Sequence, residues 1–129
     1  MNKIDKESVI GISALLVHAA NIDEMYSDHE KELIKIFIKS YLNNENPDEI
    51  LKKAEEIEKN SNQLLNYTNI IKETSFEIKK DIIEHLWKVL ISDNSIDQYE
   101  ANLMRRICGL IYFSDKESGE IKLRLLNNR

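Results

Sequence analysis

Seven carboxylates stand in two short stretches of this chain: Asp23, Glu24, Asp28 and Glu30 in the first, Asp93, Asp97 and Glu100 in the second. Carboxylate oxygens are the donors that hard divalent cations prefer, and several must converge to replace the ion's water shell. The same side chains suit a second task. Ser27-Asp28-His29-Glu30 and Asp97-Gln98-Tyr99-Glu100 have the order in which the first residue caps a helix and the fourth reaches back to it. Carboxylates between helices most often serve as such caps, and cation binding is the alternative. A calcium hand is excluded, because it needs a twelve-residue ligand loop with a central glycine, and neither stretch contains glycine. An ion here would draw on both ends of one turn, or on two turns that meet. Asp23 and Glu30 would act with Glu24 or Asp28, and Asp93 with Asp97 and Glu100.

The two stretches are related by a shift of seventy positions, which carries Asp23 to Asp93 and Glu30 to Glu100. The correspondence continues through Leu16/Leu86, Ser27/Asp97, Leu33/Leu103, Ile34/Met104, Lys35/Arg105 and Phe37/Ile107. Self-similarity at a fixed offset implies a duplicated supersecondary unit. Each unit, about 5–43 and 74–113, reads as apolar helix, acidic turn, helix. An aspartate closing the first helix of each unit opposes the helix dipole, which favours cations at that end. Turn N–H groups or a bound cation would compensate it.

The elements that must position these turns are all helical. Val9, Ile12, Leu15, Leu16 and Ala19 mark one apolar face of a first helix over about 5–20. A second opens at Ser27, with Leu33, Ile34, Phe37, Ile38 and Tyr41 as its core face. Asn46 as cap and Pro47 at the first helical position begin a third helix, about 47–60. That helix is highly charged, with a thin stripe of Ile50, Leu51, Ala54 and Ile57, and its pattern implies a peripheral place. A short fourth helix covers about 63–72. Thr74-Ser75-Phe76-Glu77 reads as a capping box for a fifth, carrying Ile78, Ile82, Ile83, Leu86, Leu90 and Ile91. A sixth follows Asp97, and Ser114-Asp115-Lys116-Glu117 opens a short last one. With no linker and no strand pattern, the expectation is one all-α domain over 1–129, a bundle of six to seven helices with two quasi-repeated helix-turn-helix units.

Composition removes several classes of function. The chain has 129 residues, 42% hydrophobic and 32% charged, with three Gly and one Pro. The 18 basic against 23 acidic residues give a net charge of −5, the wrong sign for a phosphate-neutralising nucleic-acid surface. No run reaches the roughly 18 apolar residues of a membrane span, and the N-terminus lacks signal-peptide character. Cys108, the lone cysteine, suits a reducing cytoplasm and reads as a buried, inert thiol. His29 reads as a solvated surface residue, His18 and His85 as core-margin residues, and Trp87 as a core anchor. No nucleophile setting or phosphate loop is present.

An apolar helix ending in Asp, a short turn, and a Ser/Asp-x-x-Glu helix start, given twice in a chain of this size, resembles the TerB-like tellurite-resistance family. The likeness is closest to its short stand-alone bacterial members and runs from about Ile12 to the Ser114-Asp115 turn. Asp23-Glu24 and Asp93-Asn94 depart from the family's usual Asp-Gly. The resemblance implies an all-helical module linked to tellurite resistance and stress responses. It further implies metal binding through Asp23, Glu30, Asp93 and Glu100. The expected function is a non-catalytic, cytoplasmic binding or scaffold module with a weak divalent-cation site. Its expected partner is a protein, such as a membrane-associated stress complex. The alternative is a metal-dependent hydrolase, which requires the two carboxylate sets to converge, with about 3.5–4 Å between ions in a two-metal centre.

Overall fold

A computed structural model describes residues 4–22, 26–60, 65–91 and 98–127, with the side chains of 65, 98 and 99 excepted. These residues form seven α-helices: α1 (Lys6–Ala20), α2 (Asp28–Tyr41), α3 (Pro47–Asn60), α4 (Leu65–Lys72), α5 (Phe76–Ile91), α6 (Gln98–Ile111) and α7 (Asp115–Asn127). The bundle is all-α among the described residues, as the sequence pattern implies.

Short polar side chains set the helix starts. Asp5 caps α1 by accepting from the Ser8 N–H at 2.7 Å. Asn46 accepts from the Asp48 N–H at 2.9 Å, with Pro47 opening α3. Ser114 accepts from the Glu117 N–H at 3.3 Å at the start of α7. The start of α5 differs from the expected box. Ser75, not Thr74, caps it, accepting from the Ile78 N–H at 3.3 Å. The Thr74 hydroxyl instead donates to the Ile71 carbonyl at the end of α4, which places Glu77 one residue too early to close a box.

α1 lies at the centre and contacts α2, α3, α4 and α5. Residues 9–17 of it are all buried, so α1 is enclosed on every side, not along one face. A helix apolar all round is stable only when neighbours surround it. α3 closes one side of it from the outside: its stripe is buried while most of its other residues are exposed, as its charge and thin apolar face imply. Its stripe of Ile50, Leu51 and Ala54 is buried against α1 and α2. In the second half α7 lies along α5, where the Trp87 indole N–H donates to the Ser118 hydroxyl at 3.0 Å. Cys108 is buried, and burial raises its thiol above the ordinary value. α6 ends on Tyr112 at φ 60°, a left-handed conformation that glycine usually supplies.

Candidate functional site

The first acidic turn is held between the end of α1 and the start of α2. The Asn21 N–H donates to the Val17 carbonyl at 3.0 Å, and the Ile22 N–H to Ala19 at 3.3 Å, closing α1. On the far side Ser27 and Glu30 form the expected capping box. The Ser27 hydroxyl accepts from the Glu30 N–H at 3.3 Å, and Glu30 Oε1 accepts from the Ser27 N–H at 2.8 Å. The Ser27 hydroxyl also lies 3.2 Å from that oxygen. Glu30 is only 5% exposed. A carboxylate so buried is costly unless donors meet it, and here the cap and the positive end of α2 do so.

The structure adds a wall that the sequence pattern did not reveal. Two carboxylates of α3 reach the turn. Glu55 Oε2 accepts from the Tyr26 hydroxyl at 2.6 Å. Glu58 Oε1 accepts from the Asn21 amide at 3.3 Å, and its Oε2 lies 3.3 Å from His18 Nδ1. Burial raises the Tyr26 phenol above its ordinary value, followed by the Glu55 hydrogen bond and the charges of Glu55, Glu30 and Glu58. Carboxylates from α2 and α3 therefore act on one hydroxyl. The Lys31 ammonium, 5.1 Å from the centre of the Tyr26 ring, offsets part of that charge. The available signal was positional: Glu55 and Glu58 each follow a residue of the α3 stripe by one place, on the edge that turns toward α1.

The other expected ligands divide into three groups. Asp28 begins α2 and is exposed, as is His29. Asp23, Glu24, Asp93 and Asp97 lie outside the described residues. Glu100 occupies the same place in α6 that Glu30 occupies in α2, three residues into the helix, and is 3% exposed. Among the described residues no three His, Cys, Asp or Glu side chains are arranged to hold a metal ion. The described carboxylates of the first turn already accept hydrogen bonds, Glu30 from Ser27, Glu55 from Tyr26 and Glu58 from Asn21, and carboxylate oxygens are of the kind hard divalent cations prefer.

Helix boundaries and buried glutamates recur at the same shift: α1 and α5 open at Lys6 and Phe76, α2 and α6 at Asp28 and Gln98, with Glu30 and Glu100 both enclosed. Residues 10–123 match the family model described as tellurite resistance protein TerB. The chain belongs to the TerB family. No curated protein and no solved structure matches it. For this TerB-family chain the family and the seven helices agree on an all-helical module, and no helix among the described residues is long and apolar enough to cross a membrane.

Proposed function

We propose that this TerB-family chain is a non-catalytic, cytoplasmic binding module whose duplicated acidic turns take up a divalent cation weakly. The units about 5–43 and 74–113 are copies of one helix-turn-helix within a single domain over 1–129. The observation that carries the reading is the pair of enclosed glutamates, Glu30 at 5% and Glu100 at 3% exposure, at matching places in α2 and α6. A carboxylate is rarely placed inside a fold without a partner, and burial at matching places in α2 and α6 sets these two apart from the exposed carboxylates of the chain. Asp23 and Glu30 are the expected ligands of the first turn, with Glu24 and Asp28 beside them. Asp93 and Glu100 are those of the second, with Asp97. When bound, the ion would neutralise crowded carboxylates and tie the two helices of a unit together. Glu30 in its cap holds the α2 end, and Glu55 and Glu58 hold the Tyr26 and His18–Asn21 side.

A protein is the expected partner, of the kind found in membrane-associated stress complexes, with the cation tuning the surface it meets. Calorimetric titration of metal-free protein with calcium, magnesium, manganese and zinc tests the cation part. Saturable heat at a dissociation constant of about 10⁻⁴–10⁻³ M, the range of loosely built calcium modules, is expected. Absence of heat with all four ions would leave the turns as caps.

A further inference from the structure

Away from the acidic turns, α2, α5 and α7 line an open surface cleft of about 500 Å³ with Tyr41, Asp81, Glu84 and Arg124 among its walls. The Tyr41 hydroxyl of α2 donates to Asp81 Oδ2 of α5 at 2.7 Å. The other oxygen of Asp81 lies 3.6 Å from His85 Nε2, one turn along the same helix. His85 is 8% exposed, and its ring stands edge-on to Phe37 with 5.1 Å between centres. One carboxylate is thus shared between a hydroxyl on α2 and an imidazole on α5.

We infer that Tyr41, Asp81 and His85 form a proton-sensitive latch between α2 and α5: uptake of a solvent proton by His85 draws Asp81 to the ring and loosens the Tyr41 tie. At 2.7 Å the Tyr41 bond is a full hydrogen bond, whereas 3.6 Å to the imidazole is too long for one. The neutral state therefore favours the tie across the helices. An imidazolium packed against a phenyl ring needs a counter-charge in contact. From α5 the charged groups facing it are Asp81, Glu84 and Lys88. From α7, Arg124 holds Glu84 at 2.5 Å, and Lys88 lies 3.6 Å from the same carboxylate. From α2 the titratable group is Tyr41, and the buried positions of α1 hold apolar residues, Gly11 and Ser13. Glu84 is committed to two cations, so among the described residues Asp81 is the carboxylate that can move to the ring.

Burial lowers the His85 proton affinity in the fold, against the pull of Asp81. The unfolded chain then binds the proton more tightly than the folded one. The stability held by the neutral ring is complete above about 6.5, the ordinary imidazole value, and declines as pH falls from there toward the lowered midpoint. This would make the seating of α2, which carries Glu30 at its other end, depend on acidity.

The test is an NMR titration of the His85 ring from roughly pH 8 to pH 5 in the intact protein and in Tyr41→Phe. Without its hydroxyl donor Asp81 turns to the ring, so His85 in the variant titrates at higher pH than in the parent. An unchanged or lower midpoint overturns the latch. A second measurement stands should that variant fail to fold. Amide hydrogen exchange in the last turn of α2, corrected for its intrinsic pH dependence, rises in the parent as His85 protonates and stays level in His85→Gln. The same pH dependence in both proteins overturns it equally.

Discussion

The first two helices of each half of the chain begin at matching places, and the halves differ in what packs against those helices. A shift of seventy carries Lys6 to Phe76, Asp28 to Gln98 and Tyr41 to Ile111, all helix ends. Glu30 and Glu100, at the same shift, are both buried. Beyond that frame the halves part. Where the first has His18, Tyr26 and Glu55, the second has Lys88, Ile96 and Leu125. Where the first has Val17, the second has Trp87, anchored on Ser118. The closing helix differs too: α3 brings two carboxylates to its turn, whereas α7 is fastened to α5 by an indole and by the Arg124–Glu84 pair. Glu30 and Glu100 hold matching places in α2 and α6, and among the described residues the further carboxylates Glu55 and Glu58 stand beside the first turn. Cation binding should then be unequal between the turns, with the first dominant.

The largest effect concerns α3 as a wall of the first half. Leu51→Ala should cost about 2–5 kcal/mol, the usual range for opening a cavity in a packed core. Ile57→Ala, at a position 40% exposed, should cost about 1 kcal/mol or less. Denaturant midpoints of the two variants decide it, and a larger loss at Ile57 would contradict the burial pattern of α3. Next come the two buried glutamates. Glu30→Ala and Glu100→Ala should each lower stability by about 0.5–2 kcal/mol, since Glu30 is the reciprocal arm of a helix cap and Glu100 stands at the matching place in α6. Thermal unfolding unmoved by Glu100→Ala would show that the second cap is not formed and that the halves differ at their helix starts as well.

The smallest effect sharpens the inequality between the turns. Glu55→Gln with Glu58→Gln removes two negative charges near the first turn and none near the second. Cation affinity by calorimetry should fall roughly two- to tenfold, the scale of partly screened charges a few ångströms beyond contact. Unchanged affinity would place the ion away from α3.

Most helix starts were legible because caps are local: Ser27, Asn46 and Ser114 each bond a backbone N–H two or three residues on. The α5 start was misplaced by one residue because Thr74 and Ser75 are both competent caps, and the Ile71 carbonyl took the Thr74 hydroxyl. The place of α3 on the outside of α1 was legible from its thin stripe and high charge. Glu55 and Glu58 were missed because they reach His18, Asn21 and Tyr26 across about 30 to 40 residues of chain. The buried glutamates were legible as caps and as ligand candidates, and spacing alone does not choose between these roles.

Thermal unfolding of metal-free protein with millimolar calcium, magnesium, manganese or zinc, run beside Asp23→Asn with Asp93→Asn, tests the cation reading most directly. An ion that binds the folded state stabilises it by about 1.4 kcal/mol at ten times its dissociation constant. The parent should therefore melt at higher temperature with at least one of the four ions. The double variant should lose that response while remaining as stable as the parent without metal, or slightly more so, because two carboxylates that follow the α1 and α5 C-termini in sequence are gone. A parent melting curve that none of the four ions moves would contradict the account and leave both acidic turns as helix caps.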